Sequence, residues 1–125
     1  MELDKLQSRL GVEIDPKLLK LALTHSSYAY ENGGENNERL EFLGDSILGY
    51  VVTSHLYSLL PDLNEGELTK IKNGVVSAQA LASVSQRLDI GKFLYLGKGE
   101  EQTLGRKKPN LLADAFEAIL GAVYL

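Results

Sequence analysis

No cysteine occurs in the sequence, so disulfides and thiolate metal sites are excluded. Histidine is nearly as scarce, with only His25 and His55, which leaves any imidazole site sparse. A metal bound here would be held by oxygen, and oxygen donors favour Mg²⁺ or Mn²⁺. Long apolar runs are missing as well: nothing reaches the roughly 18 uninterrupted apolar residues of a membrane span. The N-terminus, MELDKLQSRL, lacks the basic-then-apolar order of a signal peptide. These absences predict a soluble, cytoplasmic protein with no membrane partner and no organic cofactor. Internal repeats, low-complexity segments and alternating strands are also absent, which leaves an all-α fold.

What is present fits one domain. A chain of 125 residues with 44% hydrophobic content is long enough for a real core and too short for two ordinary domains. The formal charge of -4 ordinarily argues against a nucleic-acid partner, since phosphate binding is driven by Lys and Arg. That argument weakens where acidity is concentrated in a site neutralised by divalent cations.

Caps and periodicity predict helix after helix. Glu2 to Leu10 is closed by Gly11, and Asp15-Pro16 supplies a cap and a first-turn proline for LLKLALTH. Residues 26 to 36, SSYAYENGGEN, read as a polar loop. From Asn37 apolar periodicity runs to Leu60, where Pro61 stops it. Asn64 caps Glu65 to Val76, and Ser77 caps AQALASVSQRL. Residues 91 to 109 read as mostly loop with one short extended piece at FLYL. The last helix runs from about Asn110 off the end at Leu125 without a cap, which suggests a longer parent or an unusual end.

The long helix poses the functional question. Glu38, Glu41 and Asp45 fall within an arc of roughly 60° at about 100° per residue, opposite Leu40, Leu43, Ile47 and Val51, the expected core face. Phe42, Leu48 and Val52 flank the arc, which is unusual for a wet face, and Gly44 suits a site where another backbone comes close. The last helix repeats the arrangement, with Asp114 and Glu117 opposite Leu112, Phe116, Ile119, Leu120 and Val123, and with Gly121 one turn beyond Glu117. Side by side, the two helices would gather Glu41, Asp45, Asp114 and Glu117. Each like-charge pair at about 4 Å is repelled by roughly 4 kcal/mol at an effective dielectric near 20, so such a cluster needs protons or cations. Two readings stand on these residues alone: solvated acidic faces, or a carboxylate metal site that activates water.

ERLEFLGDSIL, Glu38 to Leu48, resembles the signature of the ribonuclease III family. LTHSSYA at 22 to 29, allowing for one extra alanine, EGELTKIK at 65 to 72, and LLADAFEAILGAVYL at 111 to 125 follow in the family's order, so the resemblance covers nearly the whole chain. It implies a helical endonuclease domain over 1–125, lacking the family's last helix and its double-stranded-RNA-binding domain. The resemblance further implies a two-fold homodimer that cuts double-stranded RNA with Mg²⁺, giving 5′-phosphate and 3′-hydroxyl ends with short 3′ overhangs. Glu41, Asp45, Asp114 and Glu117 match the family's metal ligands, with Asp45 and Glu117 catalytic. Glu38 and Glu65 match auxiliary acidic positions near the cleft, and Phe42 matches an aromatic that inserts into the partner subunit. Lys72, Asn73 and Asn110 depart from the usual residues, while the four principal carboxylates are intact. The rival function is a non-catalytic RNA-binding or ribosome-associated relative, a class that often loses those acidic positions.

The remaining residues read more plainly. His25 is expected to be a structural histidine at a helix end, and His55 a surface residue. Arg106, Lys107 and Lys108 form the only basic run; they and Lys70 and Lys72 are candidate contacts to an RNA backbone, weighed against a solvated loop.

Overall fold

In the computed structural model, which describes residues 2–125, the caps act where the sequence puts them. Helix α1 (Glu2–Leu10) buries Leu6 and stops at Gly11, whose φ of 75° is open to glycine at little cost. The Gln7 side chain then ties the turn, donating to the Ile14 carbonyl at 2.8 Å and accepting from its N–H at 3.3 Å. Helix α2 (Pro16–Ala22) starts with Asp15 accepting from the Lys17 N–H, with proline in the first turn.

Helix α4 (Glu38–Leu59) is the longest, at 22 residues. Asn37 precedes it but caps nothing through its side chain; its buried amide donates instead to the Ala22 carbonyl at 3.0 Å, pinning the start of α4 to the end of α2. Helix α5 (Glu65–Val75) opens on a full capping box, in which Asn64 and Glu67 satisfy each other's backbone N–H. Helix α6 (Ala78–Arg87) is capped by Ser77. Helix α8 (Pro109–Tyr124) begins one residue earlier than expected.

Helix α8 is the centre of the molecule. Leu111, Leu112, Ala113, Ala115, Ala118, Ile119, Gly121 and Ala122 are buried, and so many small residues let α4 and α6 pack closely on either side. Leu19, Leu23, Ile90 and Phe93 join the same core; fully burying a side chain of this size contributes about 1.5 to 3 kcal/mol. Among the described residues no helix is long and apolar enough to cross a membrane.

Three expectations are corrected. Residues 26 to 36 are not all loop: Ser26–Asn32 form helix α3, because the Nδ1 atom of His25 accepts from the Ser27 N–H and so serves as the cap. Residues 91 to 109 hold more than loop and one extended piece. They comprise a 3₁₀ turn at Ile90–Phe93, helix α7 (Lys98–Gln102) and a second 3₁₀ turn at Gly105–Lys107. Only Tyr95, within FLYL, pairs as a strand would, with Thr24. The third correction concerns burial. On α4 the buried positions are Leu40, Gly44 and Leu56, whereas Leu43 and Ile47 are half-buried and Val51 is 55% exposed. Closeness is greatest where side chains are smallest, so the contact face of α4 is rotated towards the acidic arc and away from its bulkiest residues. On α8, likewise, Phe116 and Leu120 are half-buried and Val123 is exposed.

Candidate active site

Two glycines set α4 against α8. A Cβ at Gly44 would overlap the carbonyl of Glu117, and one at Gly121 would lie 2.5 Å from the carbonyl oxygen of Leu40. No other residue permits backbones to touch in this way. The acidic side chains sit at the margin of that contact, and the short separation brings them together.

They meet as pairs across the two helices. Glu41 of α4 is in hydrogen-bonding reach of Asp114 of α8, and Glu117 of α8 is in reach of Asp45 of α4. Burial pushes the Glu41 carboxyl up to about 7, helped by the charge of Asp114, the proton shared with it, and the charges of Glu38 and Asp45. Glu117 is pushed up to about 8, again first by burial, then by Asp45, Glu41 and Asp114. Burial also raises Asp114, against the lowering pull of the Glu41 proton and of His25. All four groups therefore belong to one electrostatic unit.

The donor set fits a divalent cation. Its atoms are hard carboxylate oxygens, and two of them keep protons near neutral pH because burial and like charge disfavour ionisation. Glu41, Asp45, Asp114 and Glu117 are the residues that would hold an ion. Among the described residues no three His, Asp or Glu side chains converge as a ready cation site; the four stand as two proton-sharing pairs.

A cleft of about 150 Å³ opens beside them, lined by His25, Glu38, Glu41 and Asp114 among others. Glu38 is held at its edge by Asn36, whose amide donates to Oε1 at 2.8 Å and whose own oxygen accepts from the Glu38 N–H. Glu65 is not brought here. It lies at the far end of α4, in a separate groove of about 540 Å³ between α4 and α5, with Tyr57, Leu68 and Lys72.

The basic residues divide by role. Nη1 of Arg106 donates to the carbonyls of Gly91, Lys92 and Leu94, while Nε and Nη2 both reach Glu101 at 2.8 Å. Lys108 donates to Glu100 at 2.5 Å and to Thr103 at 3.0 Å. Arg106 and Lys108 thus tie the 91–108 segment together internally. Lys107 and Lys70 are exposed, and Lys72 lies half-buried along α4 at Gly49. Phe42, beside the acidic arc, is 78% exposed, and His55 is at the surface.

Residue-by-residue reading missed that His25 faces the cleft. Its pairing with Ser27 two residues on was the available signal, since a side chain that caps a helix is fixed in direction.

The family model described as Ribonuclease-III-like matches residues 15–125. A protein named Ribonuclease 3 from Thermobifida fusca is 58% identical over 125 residues, covering 99% of this chain and 52% of that protein. Another of that name, from Leifsonia xyli subsp. xyli, is 60% identical over 121 residues, covering 96% and 51% respectively. The chain spans about half the length of these curated relatives. A solved nuclease domain of ribonuclease III from Campylobacter jejuni superposes with a TM-score of 0.92 at 39% identity, covering 98% of this chain and 84% of that one. Fold, helix pair and sequence likeness agree over almost every residue, and the chain belongs to the ribonuclease-III-like family.

Proposed function

We propose that this chain is the nuclease domain of an endonuclease that hydrolyses double-stranded RNA as a two-fold homodimer dependent on Mg²⁺, with Mn²⁺ able to substitute. The observation that carries the reading is the crossing of α4 and α8, which sets Glu41 against Asp114 on the wall of a cleft and Glu117 against Asp45 next to it.

Glu41, Asp45, Asp114 and Glu117 would hold the ion, which when bound supplies Lewis acidity for activating water and stabilising the leaving oxygen. The chain's own chemistry lies in proton traffic. Without the ion, burial holds the Glu117 carboxyl up at about 8, so it carries a proton near neutral pH that it would give up as the cation binds. Burial sets that proton affinity first, and Asp45, the partner of Glu117, adds to it. Glu38 adds negative charge at the cleft edge. The expected products carry 5′-phosphate and 3′-hydroxyl ends with short 3′ overhangs, each of two sites cutting one strand. Duplex RNA is read mainly by A-form shape and backbone, and the biological setting is cytoplasmic RNA processing such as rRNA maturation.

The dimer draws support from α4, which exposes Phe42, Tyr50, Val51 and Tyr57, more apolar surface than one helix of a monomer usually shows. The Campylobacter jejuni nuclease domain is described as having a flexible region involved in dimer formation.

Cleavage of long double-stranded RNA with Mg²⁺ at low salt, comparing the chain with Glu117→Gln, tests the reading. Cutting by the first alone, with 5′-phosphate ends, is expected. An intact dimer that binds metal and leaves RNA whole would favour the scaffold function instead.

A further inference from the structure

The turn between α2 and α3 fixes a hydrogen-bond donor on the wall of the acidic cleft. Nδ1 of His25 accepts from the Ser27 N–H at 3.1 Å and lies 2.7 Å from Ser27 Oγ. That hydroxyl in turn accepts from the Gly97 N–H at 2.9 Å, and since Nδ1 already accepts the Ser27 N–H, the hydroxyl is the donor in their contact. A ring nitrogen that accepts in this way carries no hydrogen, which places the ring hydrogen on Nε2. Orientation is equally constrained: the His25 N–H donates to the Tyr95 carbonyl at 3.1 Å, and Tyr95 pairs with Thr24. Both the backbone and one face of the ring are therefore held.

Nε2 has no partner among the described residues, and the ring lines the cleft with Glu38, Glu41 and Asp114. The same ring lines a neighbouring pocket with Glu31 and Glu100. A helix needs only one acceptor at its cap, and His25 meets that need with Nδ1 alone. Serine, asparagine or aspartate would do so with fewer atoms. The remaining half of the ring adds a rigid N–H on the cleft wall for which the fold supplies no acceptor.

Resting on the proposed function, we infer that His25 is a substrate-binding residue whose Nε2–H donates to a non-bridging oxygen of the RNA phosphate seated at the acidic cleft. A phosphodiester there meets Glu38, Glu41 and Asp114 on one side, and the fixed Nε2–H holds it from the other.

The capping and binding roles separate by substitution. His25→Asn keeps an acceptor for the Ser27 N–H and loses the donor that reaches the cleft, while His25→Ala loses both. The expected result is that His25→Asn melts with the parent chain, raises KM for duplex RNA about tenfold, the worth of one hydrogen bond, and keeps kcat within about twofold. His25→Ala should share the KM effect and also melt lower. Parental KM in His25→Asn would overturn the inference, as would a parallel loss of melting temperature and cleavage in both variants, which would make the ring purely structural. Failure of the parent chain itself to cut duplex RNA would instead overturn the proposed function, and this inference with it.

Discussion

Gly44 and Glu117 touch backbone to backbone: the position of a Cβ on the first is occupied by the carbonyl of the second. Adding a methyl group there forces α4 and α8 apart along their whole contact. Gly44→Ala should therefore cost at least about 3 kcal/mol, even though alanine is intrinsically the better helix former. Urea unfolding measures it, and a midpoint equal to that of the parent would show that the helices meet elsewhere.

Metal-free stability should fall as pH rises. Glu41 and Glu117 move from 4.5 in an ordinary carboxyl to about 7 and about 8, so between these values the native state holds protons that the unfolded chain has released. Their stabilising effect is complete below about 4.5 and is lost as pH passes through about 7 to 8. Millimolar Mg²⁺ or Mn²⁺ should restore the high-pH loss by binding the native carboxylates. Melting temperatures from pH 5 to 9, with chelator and with metal, test both halves; a melt insensitive to metal at pH 8 would remove the cation reading.

Arg106 and Lys107 are neighbours with opposite expectations. Arg106→Met strips a donor from three carbonyls and a partner from Glu101, and should destabilise by about 2 to 4 kcal/mol. Lys107→Ala removes an exposed side chain and should leave the melt within about 0.5 kcal/mol of the parent. Equal effects would contradict the internal role of the guanidinium.

Phe42→Ala should weaken self-association. An aromatic side chain 78% exposed in one chain and buried in a dimer centre typically contributes about 2 kcal/mol or more, roughly thirtyfold in dissociation constant. Sedimentation across a dilution series reads this directly, and an unchanged monomer–dimer balance would move the interface away from Phe42.

Ser85 is fully buried and its hydroxyl has no hydrogen-bond partner. Ser85→Ala removes an unsatisfied group while keeping the shape, so stability should rise by up to about 1 kcal/mol. A loss of that size in thermal unfolding would reveal a bond the hydroxyl makes in solution.

The legible parts of this fold are those governed by local rules. Asp15, Asn64 and Ser77 announce their helices because capping depends on a few neighbouring atoms. Helix α3 was illegible because its cap is a histidine ring, outside the usual residue types. The packing face of α4 misled for a different reason: apolar bulk pointed to Leu43, Ile47 and Val51, while the decisive residue was the one with no side chain, Gly44. The carboxylate pairs were foreseeable from spacing on each helix, but which acid meets which depends on how α4 and α8 cross. Arg106 showed only its charge, since its carbonyl partners lie 12 to 15 residues away in a segment without periodicity.

The pairing of acids has a geometric corollary. Each pair joins one glutamate to one aspartate, with the long arm on α4 in Glu41 and Asp114 and on α8 in Glu117 and Asp45. The summed reach is the same in both, so the glycine contact acts as a gauge that both pairs are cut to fit. Shortening one arm opens a gap on that side of the crossing while leaving the other pair in place.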